Sequence, residues 1–347
     1  MGKIRVDIIG AGFLYAALML LIDGVPGAKE GASYLAAQGI LWGVALACLC
    51  SIAFWLRRKK SPSFVEGREF ACVSFGAAIV SVATIIAWTG LLPPFVPGLF
   101  AGASLALMGM IWLRTCARYA MVDVLASSAI ALAVDGMVRF STTSLFSAQW
   151  YFPAVLLSVA ASAVLFQAPH WIDASSSEET CGDEPDSSTS LGQRFSFALK
   201  ILWLPASGAM LSVFIFGLTW DPVASGEIAH STLPLYEARL FIGPCIAATV
   251  TAVIVFHRPS SAVFLMQGIL LPCAVAVILV LPALRVESVW VQALFQIVQS
   301  AGFSAIALVT WASLVAAVRS VRTTAPAALC LSIFPWRRCS AWRLSIP

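Results

Sequence analysis

Long apolar stretches, separated by short polar segments, recur along most of this chain. Each stretch approaches the ~20 residues that a helix needs to cross the hydrocarbon core of a bilayer. None alternates as a membrane-barrel strand does, and backbone polar groups left unpaired in lipid are prohibitively unfavourable, so the pattern predicts helices. The predicted spans are approximately 6–22, 35–56, 69–90, 95–113, 119–138, 150–167, 197–219, 236–256, 261–282 and 289–318.

The composition supports this interpretation. The 347 residues are 60% hydrophobic and 11% charged, whereas soluble domains average ~25% charged residues. The first span follows Lys3 and Arg5, as the core of a secretory signal would, but its apolar run is long and ends at the polar segment 23–27. It is therefore predicted to be an uncleaved helix. The predicted fold class is all-α, a polytopic helical membrane protein with about ten transmembrane helices.

Basic residues alternate in position with the spans, and this pattern predicts an orientation. Lys and Arg concentrate in the cytoplasmic loops of membrane proteins. Seventeen of the 21 Lys and Arg residues fall on the side of the N-terminus, and four (Lys29, Arg139, Arg239 and Arg285) fall on the other. We therefore expect a multi-pass protein of the cytoplasmic (inner) membrane with both termini in the cytoplasm.

A long polar segment at 168–196 divides the spans into six and four. It is rich in Ser, Asp and Glu, which is typical of a disordered tether with nothing to bury; a phosphorylated or partner-binding loop is the alternative. The predicted organisation is an N-terminal six-helix bundle (1–167), this acidic cytoplasmic loop (168–196), a C-terminal four-helix bundle (197–318) and a basic cytoplasmic tail (319–347).

The two halves share features in the same order at an offset of about 200 residues, as in transporters built from internal repeats. Spans two and eight each end at a basic cluster followed by Ser and Pro, and spans three and nine each end in Leu-Pro. Spans four and ten each combine small residues with a downstream Trp, at Gly102 and Gly302. A set of small residues in span four is interpreted as a helix-packing surface: Gly102, Ser104, Ala106 and Gly109. The repeat favours an architecture of two halves with six spans each, of which this chain contains six and four (a 6+6 plan present as 6+4).

The two further spans of a 6+6 plan do not follow residue 318. The apolar part of 323–334 is too short to cross a bilayer, and 339–347 has no helical period. We interpret this end as truncated, or as altered by a change of reading frame near residue 330. The alternative is a genuine ten-span protein with a short basic tail.

This layout resembles the major facilitator superfamily over about residues 1–318. The loop at 57–69 lacks the Gly-x-x-x-Asp-Arg/Lys-type sequence that those transporters usually carry between spans two and three, which argues against active transport. This loop and the small-residue run 302–311 are also similar to the twelve-span domain at the N-terminus of actinobacterial LuxR-type transcriptional regulators. That resemblance implies a sensory domain, here without its helix-turn-helix, because no stretch after residue 318 accommodates a recognition helix.

Ionisable residues inside a membrane span are functional candidates, because charge at membrane depth is unfavourable. Asp135 lies in the fifth span near its predicted outer end, and Arg139 follows four residues later. This spacing permits an ion pair on one helix face. Two interpretations stay open: a paired or interfacial carboxylate, and a residue for ligand binding or proton coupling.

A polar stripe follows the tenth span. Gln292, Gln296 and Gln299 have an i, i+4, i+7 spacing and so lie on one helix face. Amides that face lipid would lose hydrogen bonds, so this face is expected to contact the bundle interior or a watery cavity. The stripe either bonds neighbouring helices or lines a ligand cavity, and Gln267 in the ninth span can join either role.

No enzyme signature accompanies these residues. The sequence contains no Ser/His/Asp constellation, HExxH helix or phosphate-binding loop, and its His and Cys residues lack metal-ligand spacing. We predict no catalysis, no cofactor, no metal and no nucleic-acid binding; the expected partners are the bilayer and a small-molecule ligand. The first hypothesis is a membrane sensory or ligand-binding domain related to LuxR-type regulators. The alternatives are a major facilitator-type secondary transporter of a small solute and a non-functional truncated fragment.

Overall fold

A computed structural model describes residues 4–23, 30–58, 68–145, 148–172, 193, 196–203, 205–208, 233–280 and 289–321. All regular secondary structure in these residues is helical. The apolar sequences explain this, since a helix pairs its backbone polar groups within its own segment and so needs no partner in lipid.

The principal α-helices are α1 (Val6–Asp23), α2 (Glu30–Arg58), α3 (Glu69–Thr89), α4 (Phe95–Cys116), α5 (Met121–Phe140), α6 (Tyr151–Ile172), α7 (Leu233–His257), α8 (Ala262–Leu265), α9 (Leu271–Val280) and α10 (Val289–Val321). Two π-helical turns interrupt this pattern. One, Ser141–Leu145, prolongs α5, and the other, Met266–Leu270, joins α8 to α9. Short 3-10 turns at Ala148–Trp150 and Pro259–Ser261 lead into α6 and α8.

Seven helical segments of the described chain are long and apolar enough to cross a membrane, and Val6–Ile22 and Tyr151–Gln167 are shorter apolar helices. The protein is therefore an all-α polytopic membrane protein, as predicted. Nine of the ten predicted spans coincide with α1 to α7, with α8 and α9 together, and with α10. In the predicted span 197–219 the structure describes residues 197–203 and 205–208, which are helical. Most of the acidic loop 168–196 and of the basic tail 319–347 falls outside the described residues.

Helix α10 is longer than a bilayer requires. Its 33 residues extend about 50 Å at ~1.5 Å per residue, whereas the hydrocarbon core is only ~30 Å thick. It therefore continues beyond the core or crosses it obliquely, as the length of the tenth apolar stretch predicts.

Helices α2 and α4 pack with their backbones in direct contact. A Cβ atom at Gly102 of α4 would overlap the carbonyl oxygen of Ile40 in α2, and one at Gly43 would overlap that of Leu99. Small residues allow this close approach, which increases the van der Waals contact that associates helices in lipid. The predicted packing role of Gly102 is confirmed, whereas the same prediction for Gly109 is wrong, because a Cβ there meets no atom within 4 Å.

The two halves of the chain repeat one packing order. In the N-terminal half, α4 packs on both α2 and α3; in the C-terminal half, α10 packs on both α7 and α9. Helices α4 and α10 are the predicted fourth and tenth spans, and their neighbours are spans two and three, and spans eight and nine. Equivalent spans thus have equivalent neighbours, which supports the internal repeat inferred from the sequence.

The two halves share hydrophobic cores. Leu132 of α5 is buried in one cluster with Ala247 of α7 and Val309 of α10. At the end that the charge pattern assigns to the cytoplasm, Ile8 of α1 and Val318 of α10 belong to another. In the described part of the chain the halves therefore pack as one bundle, with α5 against α7 as a major contact.

Replacing Gly102 by Ala tests the α2–α4 contact. The added methyl group must displace the backbone of Ile40, and overpacking of this kind destabilises a fold by ~1–3 kcal/mol. Gly109 of the same helix is a matched control, since a Cβ there meets no atom within 4 Å and Ala has the higher helix propensity.

Thermal unfolding in detergent should show a lower midpoint for Gly102→Ala and an unchanged or higher midpoint for Gly109→Ala. Equal midpoints for the two variants would show that the α2–α4 approach is looser than described.

Candidate functional site

Helix α5 packs against both α1 of its own half and α7 of the other half. Gly12 of α1 adjoins the backbone of Ala131, and a Cβ at Gly136 would come within 2.8 Å of the Leu240 carbonyl oxygen in α7. At ~100° per residue, Ala131 and Gly136 lie about 140° apart around α5. Asp135 falls within this arc, on the face of α5 between the two neighbouring helices.

The α5–α7 contact has a second cause in the sequence of α7. Pro244 lies inside this helix and has no N–H group, so it cannot donate the usual helical hydrogen bond to the carbonyl of Leu240, four residues earlier. This carbonyl faces Gly136, and the Pro244 ring would lie 3.0 Å from a Cβ at the same position. A glycine on α5 and a proline on α7 thus form one complementary contact.

Asp135 is only 1% exposed, and one carboxylate oxygen lies 3.8 Å from a guanidinium nitrogen of Arg139. The ion pair predicted from the i, i+4 spacing is therefore present. A span that ended at 138 would place Asp135 near the outer interface, but the apolar helical segment continues to Ser144. Thr142 in this extension donates a hydrogen bond to the Val138 carbonyl at 2.8 Å, one turn earlier in the same helix, so its hydroxyl is paired without water. Asp135 thus lies about 14 Å before the end of the segment.

Arg239 of α7 is a further charged residue beside this contact. It is 9% exposed and immediately precedes Leu240, whose carbonyl contacts α5. The Ser300 hydroxyl of α10 donates a 3.0 Å hydrogen bond to the backbone carbonyl of Arg239. Helices α5, α7 and α10 therefore converge here, and we call Asp135, Arg139 and Arg239 the charged junction.

The sequence pattern did not relate Arg239 to Asp135. By sequence, Arg239 counts as a basic residue at the outer end of the eighth span, 104 residues after Asp135. One sequence feature could have marked Arg239 as a candidate site residue. It lies inside the apolar stretch 236–256, where a charged arginine is energetically unfavourable. Which helix it would adjoin depends on the packing of α7 against α5.

Two of the three predicted amides adjoin this region along α10. Gln296 precedes Ser300 by about one turn, Gln299 is its neighbour, and both side chains are half-buried. The side chain of Gln292 lies outside the described residues. The assignment of this stripe to a ligand cavity stays a prediction.

Gln267 lies apart from the other amides. It lies in the π-helical turn between α8 and α9, and its amide donates a 2.8 Å hydrogen bond to the Ser313 hydroxyl of α10. Ser313 is 13 residues after Ser300, which places it about 20 Å farther along the helix. The structure thus shows Gln267 in a helix-to-helix hydrogen bond and does not bring it to the charged junction.

A second buried polar cluster lies at the predicted cytoplasmic end. Asp7 of α1 is 1% exposed and accepts a 2.5 Å hydrogen bond from the Tyr119 hydroxyl. The Arg5 guanidinium lies 4.6 Å from the centre of the Tyr119 ring, and Arg319 of α10 donates to the Tyr119 backbone carbonyl at 3.5 Å. Tyr119 thereby connects the start of α1 to the end of α10.

Tyr119 is held in its neutral, hydrogen-donating form. Burial raises the pKa of its phenol, and the adjacent Asp7 carboxylate raises this pKa further. Near it, Glu69 at the start of α3 pairs with Arg118 at 2.5 Å and with Arg114 at 3.7 Å. These contacts hold the predicted cytoplasmic ends of the helices together. Sequence spacing did not predict them, because the paired residues are far apart in the chain.

The charged junction differs from this second cluster in its setting. Its residues lie on both sides of the α5–α7 contact, with Asp135 and Arg139 paired on α5 and Arg239 next to Leu240 on α7. Charges in a span are strongly unfavourable unless they are paired or hydrogen-bonded. In a bundle interior of low dielectric constant they also act more strongly on a solute than in water. The junction is therefore suited to holding a charged or strongly polar solute.

Neither a protein-family model nor a curated protein sequence matches this chain. Within the described ranges, no three His, Cys, Asp or Glu side chains form a group that could hold a metal ion.

We expect Tyr119→Phe to destabilise the folded protein, because Asp7 stays buried and loses its hydrogen-bond donor. Hydrogen bonds to charged groups contribute ~1.5–3 kcal/mol. In an Asp7→Asn background the same substitution should have a smaller effect, since the acceptor no longer carries a charge. Unfolding of the four proteins in detergent measures this coupling, and strictly additive effects would refute it.

Proposed function

We propose that this chain is a membrane-embedded ligand-binding protein with a sensory role, like the membrane domains of LuxR-type regulators that its layout resembles. The observation that carries this proposal is the charged junction. Asp135 and Arg239 are 1% and 9% exposed, and the Arg139 side chain is 13% exposed. A small solute binds there, between helices of the two halves.

The position of the junction supports a binding role. Ionisable residues inside a membrane are retained mainly for contact with ligands, ions or substrates. Binding sites of repeat-built membrane proteins lie near the interface between the repeats. The junction meets both conditions, because α5 belongs to one half of the chain and α7 and α10 belong to the other.

The same position supports a sensory output. A ligand shifts a conformational equilibrium only by its difference in affinity for the two states. When the halves move relative to one another, the contacts of a solute held between α5 and α7 change. Its affinities for the two arrangements therefore differ. Binding at the junction would therefore change the arrangement of the bundle.

A secondary transporter of a small solute is the second candidate, and one observation favours it. The equivalent packing of α4 and α10 on their neighbours is the kind of repeat on which alternating-access transporters are built. Transport and sensing would use the same site, so the two candidates differ in whether the solute crosses the membrane.

Binding can be tested with three probes of similar size, benzoate, benzylamine and benzyl alcohol, on the full chain in lipid nanodiscs. At ten times its Kd a ligand stabilises the folded state by about 1.4 kcal/mol. We expect at least one probe to raise the unfolding midpoint of the natural protein and to do so less in Asp135→Asn or Gln296→Ala. Arg258→Gln is the control, because Arg258 is exposed at the far end of α7.

Uptake measurements in proteoliposomes distinguish the two candidate functions. A probe that binds in nanodiscs but is not taken up supports the sensory role, and saturable uptake supports the transporter. If none of the three probes changes the unfolding midpoint, the binding proposal is wrong.

A further inference from the structure

We propose that the predicted cytoplasmic end of the bundle is a conformational latch whose closed and open states are close in free energy. In the closed state, which the structure describes, the last turns of α10 cover a polar group formed by Arg5, Asp7 and Tyr119. In the open state this end of α10 moves away and water reaches the covered group. The latch opens without a ligand, so it is independent of the binding proposed at the charged junction.

Two charged side chains of the latch are buried with incomplete hydrogen bonding. Asp7 is 1% exposed, and its Oδ2 atom accepts the 2.5 Å hydrogen bond from the Tyr119 hydroxyl. Its Oδ1 atom has no hydrogen-bond partner in the described part of the chain, and neither has the buried Nε atom of Arg5. The N–H groups of Asp7 and Ile8 interact with the carboxylate, but no group bonds to Oδ1. A buried polar atom without a partner destabilises the state that buries it, most of all on a charged group.

Apolar packing opposes this destabilisation and holds the latch closed. Ile8, the neighbour of Asp7, belongs to one buried cluster with Leu113 and Cys116 of α4 and with Val315 and Val318 of α10. Burial of these side chains removes apolar surface from water, which is favourable. The last turns of α10 are therefore held over the start of α1 mainly by hydrophobic contact.

The polar connection between α10 and this group is weak. Arg319 donates to the Tyr119 backbone carbonyl at 3.5 Å, which is beyond the usual length of an N–H···O hydrogen bond. The start of α1 is held more firmly to its own half. The Arg5 N–H group donates to the Ser127 hydroxyl of α5 at 2.9 Å, and the Arg5 guanidinium lies over the Tyr119 ring. The boundary that opens is therefore the one between α10 and the helices of the N-terminal half.

The two opposing contributions make the position of the latch adjustable. Opening exposes the apolar cluster to water, which is unfavourable, but it also hydrates the unpartnered atoms of Arg5 and Asp7. Segments that move in regulated proteins have low local stability of this kind. A small difference in free energy is then sufficient to change the population of the open state.

Cys116 is a natural reporter of the open state. It lies in the last turn of α4, is 0% exposed and belongs to the same cluster as Ile8 and Val318. With the other eight cysteines of the full chain replaced by Ala, the rate at which a membrane-impermeant maleimide labels Cys116 in nanodiscs measures opening. Cys48 of α2 is equally buried but lies in a different cluster. A chain that keeps only Cys48 therefore reports global unfolding.

We expect Tyr119→Phe to raise the labelling rate of Cys116 about tenfold or more, because Asp7 loses its Tyr119 hydrogen bond in the closed state. Combining Asp7→Leu with Tyr119→Phe should give slower labelling than in the chain with neither substitution, since the unpartnered carboxylate oxygen is removed. Tyr151→Phe is the matched control. The buried Tyr151 hydroxyl donates to the Leu20 carbonyl near the other end of α1, so its loss should leave the Cys116 rate unchanged.

Three results would overturn the latch. An unchanged Cys116 rate in Tyr119→Phe would show that the burial of Asp7 does not oppose closure. Labelling of the Asp7→Leu/Tyr119→Phe chain at or above the rate of the chain with neither substitution would show the same, and this comparison stays informative if Tyr119→Phe alone does not fold. Equal acceleration of Cys48 labelling by Tyr119→Phe would show that the chain unfolds as a whole instead of opening at one end.

Discussion

The contact between Gly136 and the Leu240 carbonyl is the interaction on which the centre of this molecule depends. Glycine on α5 leaves room for the α7 backbone, and Pro244 withholds the helical hydrogen bond from that carbonyl. The two helices therefore approach closely, and charged side chains on both sides of the contact become buried. The junction of the halves and the proposed ligand site both follow from two backbones that touch at one place.

Polar side chains in the spans use two kinds of hydrogen bond. Many hydroxyls bond to a carbonyl one turn earlier in their own helix, as Thr84 does; such bonds need no neighbouring helix. Others cross between helices, from Gln267 to Ser313 and from Ser300 to the carbonyl of Arg239. The crossing bonds connect α10 to the π-helical turn Met266–Leu270 and to α7, so they help to determine how these helices are placed against one another.

Local interactions were predictable from the sequence, and distant ones were not. The helical spans follow from runs of about 20 apolar residues, and the Asp135–Arg139 pair follows from a spacing of four residues. By contrast, Tyr119 bonds to Asp7 across 112 residues, and Arg239 adjoins the α5 contact from the other half of the chain. Helical periodicity gives the direction of a side chain around its own helix but does not identify the neighbouring helix.

The sequence alone determined that this chain forms helices of membrane-spanning length, because lipid allows no other solution for an isolated apolar segment. It also determined the face of α10 that carries the amides and the ion pair on α5, since both depend on one helix. Tertiary structure decided that the α7 backbone next to Arg239 meets α5 at Gly136, and that Gln267 donates a hydrogen bond to Ser313 of α10. These outcomes depend on which helix surfaces fit together, and that fit is set by glycine, proline and shape across residues far apart in the chain.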